Sequence, residues 1–382
     1  MVSMDEAYAL LSQEAKRVHL GSVKQPLQQC LHCVATESIR TTFPHPPFRA
    51  SVKDGYAVCS AEGAGEFSLG GSSLAGSVPS REREGSHVIW RVNTGGMVPD
   101  WADAVVQVED TEVVSSTADG EEVKVRVLTA VTPGQDIRPV GCDMPANTEV
   151  VAAGSFLTAA EIGIAASVGA HELEVYQKPT VAVFSTGDEL VDSHDASQAP
   201  RLGSIIDSNK PMLLAALREL RFHEVGLVED MGVVRDSMEH TKAKIMESLS
   251  AADVVVSSGG VSMGDVDHIK NAILELGGTV HFGRVNMKPG KPTTFATFYP
   301  KSSTGRCKFF FGLPGNPVSA LVCFHLFVAP FLRQLCRLPT ELLTDPVVEA
   351  TLLDESIRLD GERPEYRRCI VRRRNTGASF GV

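Results

Sequence analysis

No stretch of this 382-residue chain strings together the roughly 18 uninterrupted apolar residues that a membrane-spanning helix needs. The opening residues, Met1-Val-Ser-Met-Asp-Glu6, are acidic and lack the apolar h-region of a secretory signal, so a cytoplasmic protein is expected. Positive charge is in short supply. Lys and Arg number 36 against 47 Asp and Glu, and the net charge of −11 argues against nonspecific nucleic-acid binding. The Cys30-Leu-His-Cys33 pair has no second pair downstream, so it reads as buried thiols before it reads as a zinc or redox centre. Cys307, Cys323 and Cys336 sit in apolar context, as reduced core thiols do. The 11 histidines form no His-x-x-x-His pair and no close His/Cys set. Neither a Walker A segment nor a Gly-x-Ser-x-Gly elbow occurs, which weakens the P-loop and serine-hydrolase readings.

What the chain does have is five Gly-rich segments, each carrying an ionisable residue or an amide. They are Ser51-Val-Lys-Asp-Gly-Tyr-Ala57, Ser185-Thr-Gly-Asp-Glu189, Ser257-Ser-Gly-Gly-Val-Ser-Met-Gly-Asp265, Met287-Lys-Pro-Gly-Lys-Pro292 and Leu313-Pro-Gly-Asn-Pro317. Glycine lets backbone approach a ligand closely, while neighbouring Asp, Glu and Lys supply metal ligands or anion clamps. Hydrophobic content of 43% with 22% charged residues is ordinary for a soluble globular protein, and the length suits two to four domains.

The periodicity predicts a helix over 4–20, with Met4, Ala7, Tyr8, Leu11 and Ala15 on one stripe. A proline-punctuated stretch at 41–50 marks a domain crossing. Short strands follow at 55–59, 87–93, 104–109 and 122–128, then a helix at 158–168. From residue 179 strands (180–184, 224–228, 253–256, 307–311) alternate with helices (209–220, 236–250, 265–276, 317–335), which argues for a parallel sheet covered on both faces. Further strand-like runs lie at 347–353 and 367–371. The expected class is α/β and β multidomain: a mixed linker domain from 1–45 plus 145–177, an inserted β-rich domain at 46–144, an α/β domain at 178–335 and a short C-terminal β domain at 336–382. Gly-rich loops then fall at the carboxyl ends of strands, where open α/β sheets bind ligands.

Within 257–267 a strand feeds Ser258-Gly259-Gly260 and a helix opens near Gly264, so turn N–H groups and the helix dipole favour a phosphate-like anion. Asp265 either caps that helix or serves the ligand, and Asp267 is a candidate metal or water ligand. Lys288 and Lys291 sit in a proline-stiffened loop as an oxyanion clamp or a solvated turn, with Arg284 as a third positive charge. Thr186 leads to Asp188 and Glu189, carboxylates of the kind Mg²⁺ takes. Asp236 reads equally as a helix N-cap or a ligand. In the β-rich domain Asp54, Thr94 and Asp143 stand beside turns that explain them without any function.

Together with Thr94-Gly-Gly-Met-Val-Pro99, Ala102-Asp-Ala-Val-Val106, Glu109 and the extension Val318-Ser319, these segments resemble the MoeA family and, within it, the E domain of gephyrin-type proteins, in collinear order from Met4 to Val371. The resemblance implies molybdopterin molybdotransferase activity: insertion of molybdate into adenylylated molybdopterin with release of AMP, assisted by Mg²⁺. It implies a homodimer of elongated four-part protomers whose cleft joins the α/β domain of one subunit to the β domain of its partner. By match to family positions, Asp54, Asp143, Glu189, Asp236 and Asp267 are the catalytic carboxylates, with Glu189, Asp236 and Asp267 as metal ligands. Thr94, Thr186, Ser258, Gly259, Gly260, Ser262, Lys288, Lys291, Pro314 and Asn316 are the cofactor-binding positions. The family's last domain is longer than 336–382, and its Ser-rich closing motif is missing after Asn375-Thr-Gly377. The G domain that makes adenylylated molybdopterin is expected to be a separate protein. The alternatives are a receptor-anchoring scaffold that takes a receptor-loop peptide through Asp5 and Tyr8, or an inactive isoform.

Overall fold

The computed structural model describes residues 1–79, 82–192, 202–220, 225–260, 268–300, 306–353, 357–358 and 360–372. The chain divides into two compact units. One comprises Met1–Glu37, Ala153–Gly163 and His171–Val382, and the other Ser38–Ala152 and Ile164–Ala170.

The second unit is a six-stranded sheet built from β1 (Gly55–Val58), β2 (Gly65–Ser73), β3 (Val88–Val92), β4 (Ala104–Gln107), β5 (Thr111–Ser116) and β6 (Glu122–Val127). Their spatial order is β4-β1-β3-β2-β6-β5, antiparallel throughout except where β2 runs parallel to β3. Alternation puts Tyr56, Ile89, Val106 and Val125 in one buried cluster and Ala57, Trp90, Val92 and Val105 in another, as the period of two in a strand requires.

The first unit carries α1 (Met4–Arg17), closed at its start by a reciprocal Ser3/Glu6 capping box. Helix α2 (Ala159–Ser167) lies where the sequence places one. The α/β core then runs β7 (Thr180–Thr186), α3 (Asn209–Arg218), β8 (Leu227–Val234), α4 (Met238–Ala251), β9 (Val254–Ser258), α5 (His268–Glu275), β10 (Thr279–Phe282), β11 (Thr294–Phe298), β12 (Lys308–Leu313), α6 (Pro317–Cys323) and α7 (Ala329–Leu335). Sheet order is β8-β7-β9-β12-β11-β10. Val181, Val183, Val254, Val256, Phe309 and Phe311 face a cluster closed by α1, α3, α6 and α7, while Phe184, Val255 and Phe310 face α4 and α5. Both faces are covered, which is why these strands read as continuous apolar runs rather than alternating ones.

Four corrections to the sequence reading follow. The sheet is parallel only across β8, β7, β9 and β12, because β11 and β10 add an antiparallel pair at one edge. The strand expected at 224–228 runs instead over Leu227–Val234. The helix expected at 317–335 is interrupted by a π-helical turn, Phe324–Val328, just before Pro330, whose ring nitrogen has no hydrogen to donate to the preceding turn. By length and composition this stretch is apolar enough to cross a membrane, yet 67% of it is buried in the unit's core. The strands expected at 347–353 and 367–371 do not form among the described residues, where Val347, Leu353 and Ile370 are at least four-fifths exposed and have no facing strand to cover them.

Candidate active site

Parallel register brings the strand ends together. Ser185 on β7 stands opposite Ser258 on β9, and Ser258 opposite Leu313 on β12. Thr186 pairs with Val234 at the end of β8. The loops at Gly187–Glu189, Arg235–Asp236, Gly259–Gly260 and Pro314–Asn316 therefore leave the same edge of the sheet. The antiparallel β11 enters at that edge too, since Thr294 stands opposite Gly312, so the Lys288–Lys291 loop arrives beside them.

A cavity of about 590 Å³ opens there, within the range of small-molecule sites. Thr186, Glu189, Asp236, Ser258, Gly259, Gly260, Pro314 and Asn316 all line it, joined by Asn209, His268, Pro292 and Ser319. Gly259 and Gly260 turn with φ of +88° and +65°. A Cβ on Gly259 would lie 2.2 Å from the Thr186 carbonyl oxygen, so only glycine fits this crossing of two backbones. The Gly259 N–H is spent on the Leu313 carbonyl at 3.1 Å, whereas the Gly260 N–H has no partner among the described residues.

Asp236 does not cap α4. Ser237 does, its Oγ accepting from the His240 N–H. Asp236 instead accepts from Thr186 Oγ1 at 2.6 Å, and its own N–H donates to Asp188 Oδ1 at 3.0 Å, which ties the two acidic loops together. Ser258 Oγ is buried and accepts from Asn209 Nδ2 at 2.6 Å, so its hydroxyl serves the protein. Asn316 Oδ1 caps α6 by accepting from Val318 N and Ser319 N.

The lysines stand differently. Lys288 is neither free nor simply solvated: its Nζ lies 3.5 Å from Asp360 and 3.6 Å from Glu365, while its N–H and carbonyl bond to Pro364 and Tyr366. Neither Lys288 nor Lys291 lines the cavity, although Pro292 does. Asp265, Asp267 and Ser262 lie outside the described residues. In the other unit, antiparallel pairing of β1 with β3 sets Asp54 beside Thr94, whose N–H and Oγ1 donate to Asp54 Oδ1 at 2.6 and 3.0 Å. Those two bonds hold the Asp54 carboxyl below its ordinary range. Asp143 is ion-paired with Arg138, whose guanidinium lowers it likewise. Asp5 is exposed in the first turn of α1, and Tyr8 packs its ring 5.8 Å from that of Phe327. Burial, with Tyr366 and Asp5 nearby, pushes the Tyr8 hydroxyl up to about 12.

Sequence reasoning missed Asn209 and His268. Asn209 looks like an ordinary first helical residue, and only its contact with Gly315, 106 positions away, marks it. Among the described residues no three His, Cys, Asp or Glu side chains gather as a metal site. Glu189 and Asp236 both line the cavity, and two carboxylates are a donor set that suits Mg²⁺ when water and ligand oxygens complete its shell.

Residues 2–169 match the family described as MoeA N-terminal region (domain I and II), and 182–334 match the one described as "Probable molybdopterin binding domain". Gephyrin of Dictyostelium discoideum is 37% identical over 406 residues, covering 97% of this chain and 55% of its own. The chain thus spans about half the length of that relative. A molybdopterin molybdenumtransferase of Nostoc sp. is 33% identical over 335 residues, with 86% of this chain and 72% of its own covered. The solved molybdopterin biosynthesis moea protein from Pyrococcus horikosii superposes with a TM-score of 0.69 at 31% identity, covering 88% of this chain and 81% of that one.

Proposed function

The chain belongs to the MoeA family of molybdopterin molybdenumtransferases, and from that premise we propose that it inserts molybdate into adenylylated molybdopterin and releases AMP, completing the molybdenum cofactor. One observation carries the reading: a cavity at the carboxyl edge of the sheet, walled by a tight glycine turn and by two carboxylates, within the segment that matches a molybdopterin-binding family.

The chain's own groups divide the work. The Gly260 N–H, presented by the tight Gly259 turn, receives a phosphate oxygen. Asp236, held by Thr186 and Asp188, and Glu189 would repel the phosphoanhydride unless a cation stood between them. These two would hold Mg²⁺, with Asp267 as a third candidate, and the ion would supply the positive charge that neutralises the phosphates. Lys288 and Lys291 are proposed to attract molybdate, and Asp54, Thr94 and Asp143 to serve the same reaction from the β-rich unit. The four-part domain division, the homodimer, the cytoplasmic location and a separate protein as source of adenylylated molybdopterin belong to the same proposal. So does a receptor-loop peptide at Asp5 and Tyr8, as a subordinate one.

The assay is direct. Purified protein is mixed with adenylylated molybdopterin, Mg²⁺ and molybdate, and AMP is measured. Molybdate-dependent AMP release is expected, and its absence at saturating substrate overturns the proposal.

A further inference from the structure

Lys210, in the first turn of α3, is only 1% exposed, yet its ammonium joins two segments that carry cavity carboxylates. Nζ lies 2.9 Å from Asp192 Oδ2 and 3.0 Å from Asp230 Oδ1. Asp192 follows Glu189 closely, just beyond the short parallel pairing of Leu190–Val191 with Ile205–Ile206. A two-strand ladder with two residues a side is marginal by itself, and the Lys210–Asp192 pair ties down its far end. Asp230 stands on β8 at a bulge. Val183 is opposite Asp230 and Ser185 opposite Val233, so Phe184 alone spans what Met231 and Gly232 fill on β8. Asp230 Oδ1 also accepts from the Gly232 N–H at 2.9 Å, where Gly232 turns with φ of +79°. A bulge re-aims the residues that follow it, here the end of β8 and the Asp236 loop.

One buried ammonium therefore clamps the segment after Glu189 to the strand before Asp236. Lys210 does not line the cavity, so it acts on any ligand through those two segments. Burial would lower its ammonium, but the bonds to Asp192 and Asp230 outweigh burial and raise it, so it stays charged. Without that charge, Asp192 and Asp230 would repel each other and push their segments apart. Resting on the reading that Glu189 and Asp236 hold Mg²⁺, we propose that Lys210 is a positioning residue that sets the spacing of these two carboxylates and so the affinity for the divalent cation. The sign of its effect is distinctive. A lysine acting only through its field would oppose a cation, and removing it would tighten cation binding. A lysine acting as a clamp holds the ligands in place, and removing it weakens binding, because octahedral ions tolerate little error in ligand position.

The test uses the full chain and Mn²⁺ alone, a paramagnetic substitute for Mg²⁺, with free and bound ion counted by EPR well below the melting temperature. Wild-type protein is expected to bind Mn²⁺, and Glu189→Gln, which removes a ligand, to bind it more weakly. Lys210→Met keeps most of the side chain and removes the charge. It is expected to bind Mn²⁺ about tenfold more weakly than wild type, the scale of losing a group that orients a metal ligand. Unchanged or tighter binding overturns the clamp and leaves the metal reading standing. Asp230→Asn breaks the clamp from its partly exposed end and decides the matter if Lys210→Met does not fold. It is expected to bind Mn²⁺ several-fold more weakly even at about 1 M salt, where the loss of a distant charge is screened. Binding equal to wild type at that salt overturns the clamp. If wild-type protein and Glu189→Gln bind Mn²⁺ alike, the metal reading falls and this inference with it.

Discussion

Asp236 and Asp253 are both aspartates beside strand ends, yet their surroundings give them opposite uses. Asp236 is partly open to the cavity and leaves the capping of α4 to Ser237, so little of the fold depends on its charge. Asp236→Asn should lower AMP release by roughly a hundredfold, the scale seen when a charged group serving the reacting centre is lost, and leave thermal stability nearly unchanged. A matching collapse of the melting temperature would show that Asp236 is structural. Asp253 is 6% exposed and accepts from the Thr180 N–H and Oγ1, each at 3.0 Å, with Lys308 Nζ at 3.2 Å. Burial alone would raise its carboxyl, but the Thr180 bonds and the Lys308 ammonium outweigh burial and lower it. A carboxyl depressed in the folded state stabilises above its unfolded value, near 4, and loses that contribution as pH falls through the lower folded value. Asp253→Asn is therefore expected to cost about 2 kcal/mol at pH 7 in urea titrations. The gap from wild type should narrow below about pH 4, and a gap independent of pH would sink the assignment.

At the scale of elements, the glycine turn after β9 determines whether the cavity exists. Gly259→Ala must accept both a φ of +88° and a Cβ 2.2 Å from a backbone oxygen that cannot move without shifting β7. The expected cost is about 3 kcal/mol or more, combining left-handed strain with the clash, and chemical denaturation would measure it. A variant as stable as wild type would mean that β7 and β9 are not held at this separation. This turn was legible in the sequence because Gly-Gly after an apolar run is local punctuation, and so were β7, β9, β12 and the stripe of α1. The antiparallel β10 and β11 were not, because Thr279-Val-His-Phe282 and Thr294-Phe-Ala-Thr-Phe298 break their apolar residues with Thr and His and so lack the continuous apolar run that marks β9. Neither was the division of labour between Asp236 and Ser237. Adjacent residues of equal capping ability differ only in which one the tertiary fold turns toward Thr186. Asn209 was illegible for a related reason, since its role is defined by a carbonyl on another loop.

Across the α/β unit as a whole, the segment 360–372 is the part whose contacts bear most on charge. It reaches the core through Lys288, where a short bridge to Glu365 and backbone bonds to Pro364 and Tyr366 fasten it. The cluster holds three cations and two anions: Lys288 faces Asp360 and Glu365, Asp360 also pairs with Arg363 at 2.9 Å, and Glu365 with Arg367 at 3.0 Å. The Glu362 N–H and the Arg363 guanidinium hold the Asp360 carboxyl down to about 2, so it is charged throughout the working range of pH. On the proposal that Lys288 attracts molybdate, the incoming oxyanion must compete with two permanent carboxylates for one lysine. Replacing both, as Asp360→Asn with Glu365→Gln, leaves Lys288, Arg363 and Arg367 uncompensated. Molybdate binding, followed by calorimetry, should tighten several-fold at low salt. The gain should fade near 1 M salt, where screening acts over about 3 Å. If these carboxylates instead hold Lys288 in its useful position, the double variant will bind molybdate more weakly at every salt concentration, and competition will be the wrong account of the contact.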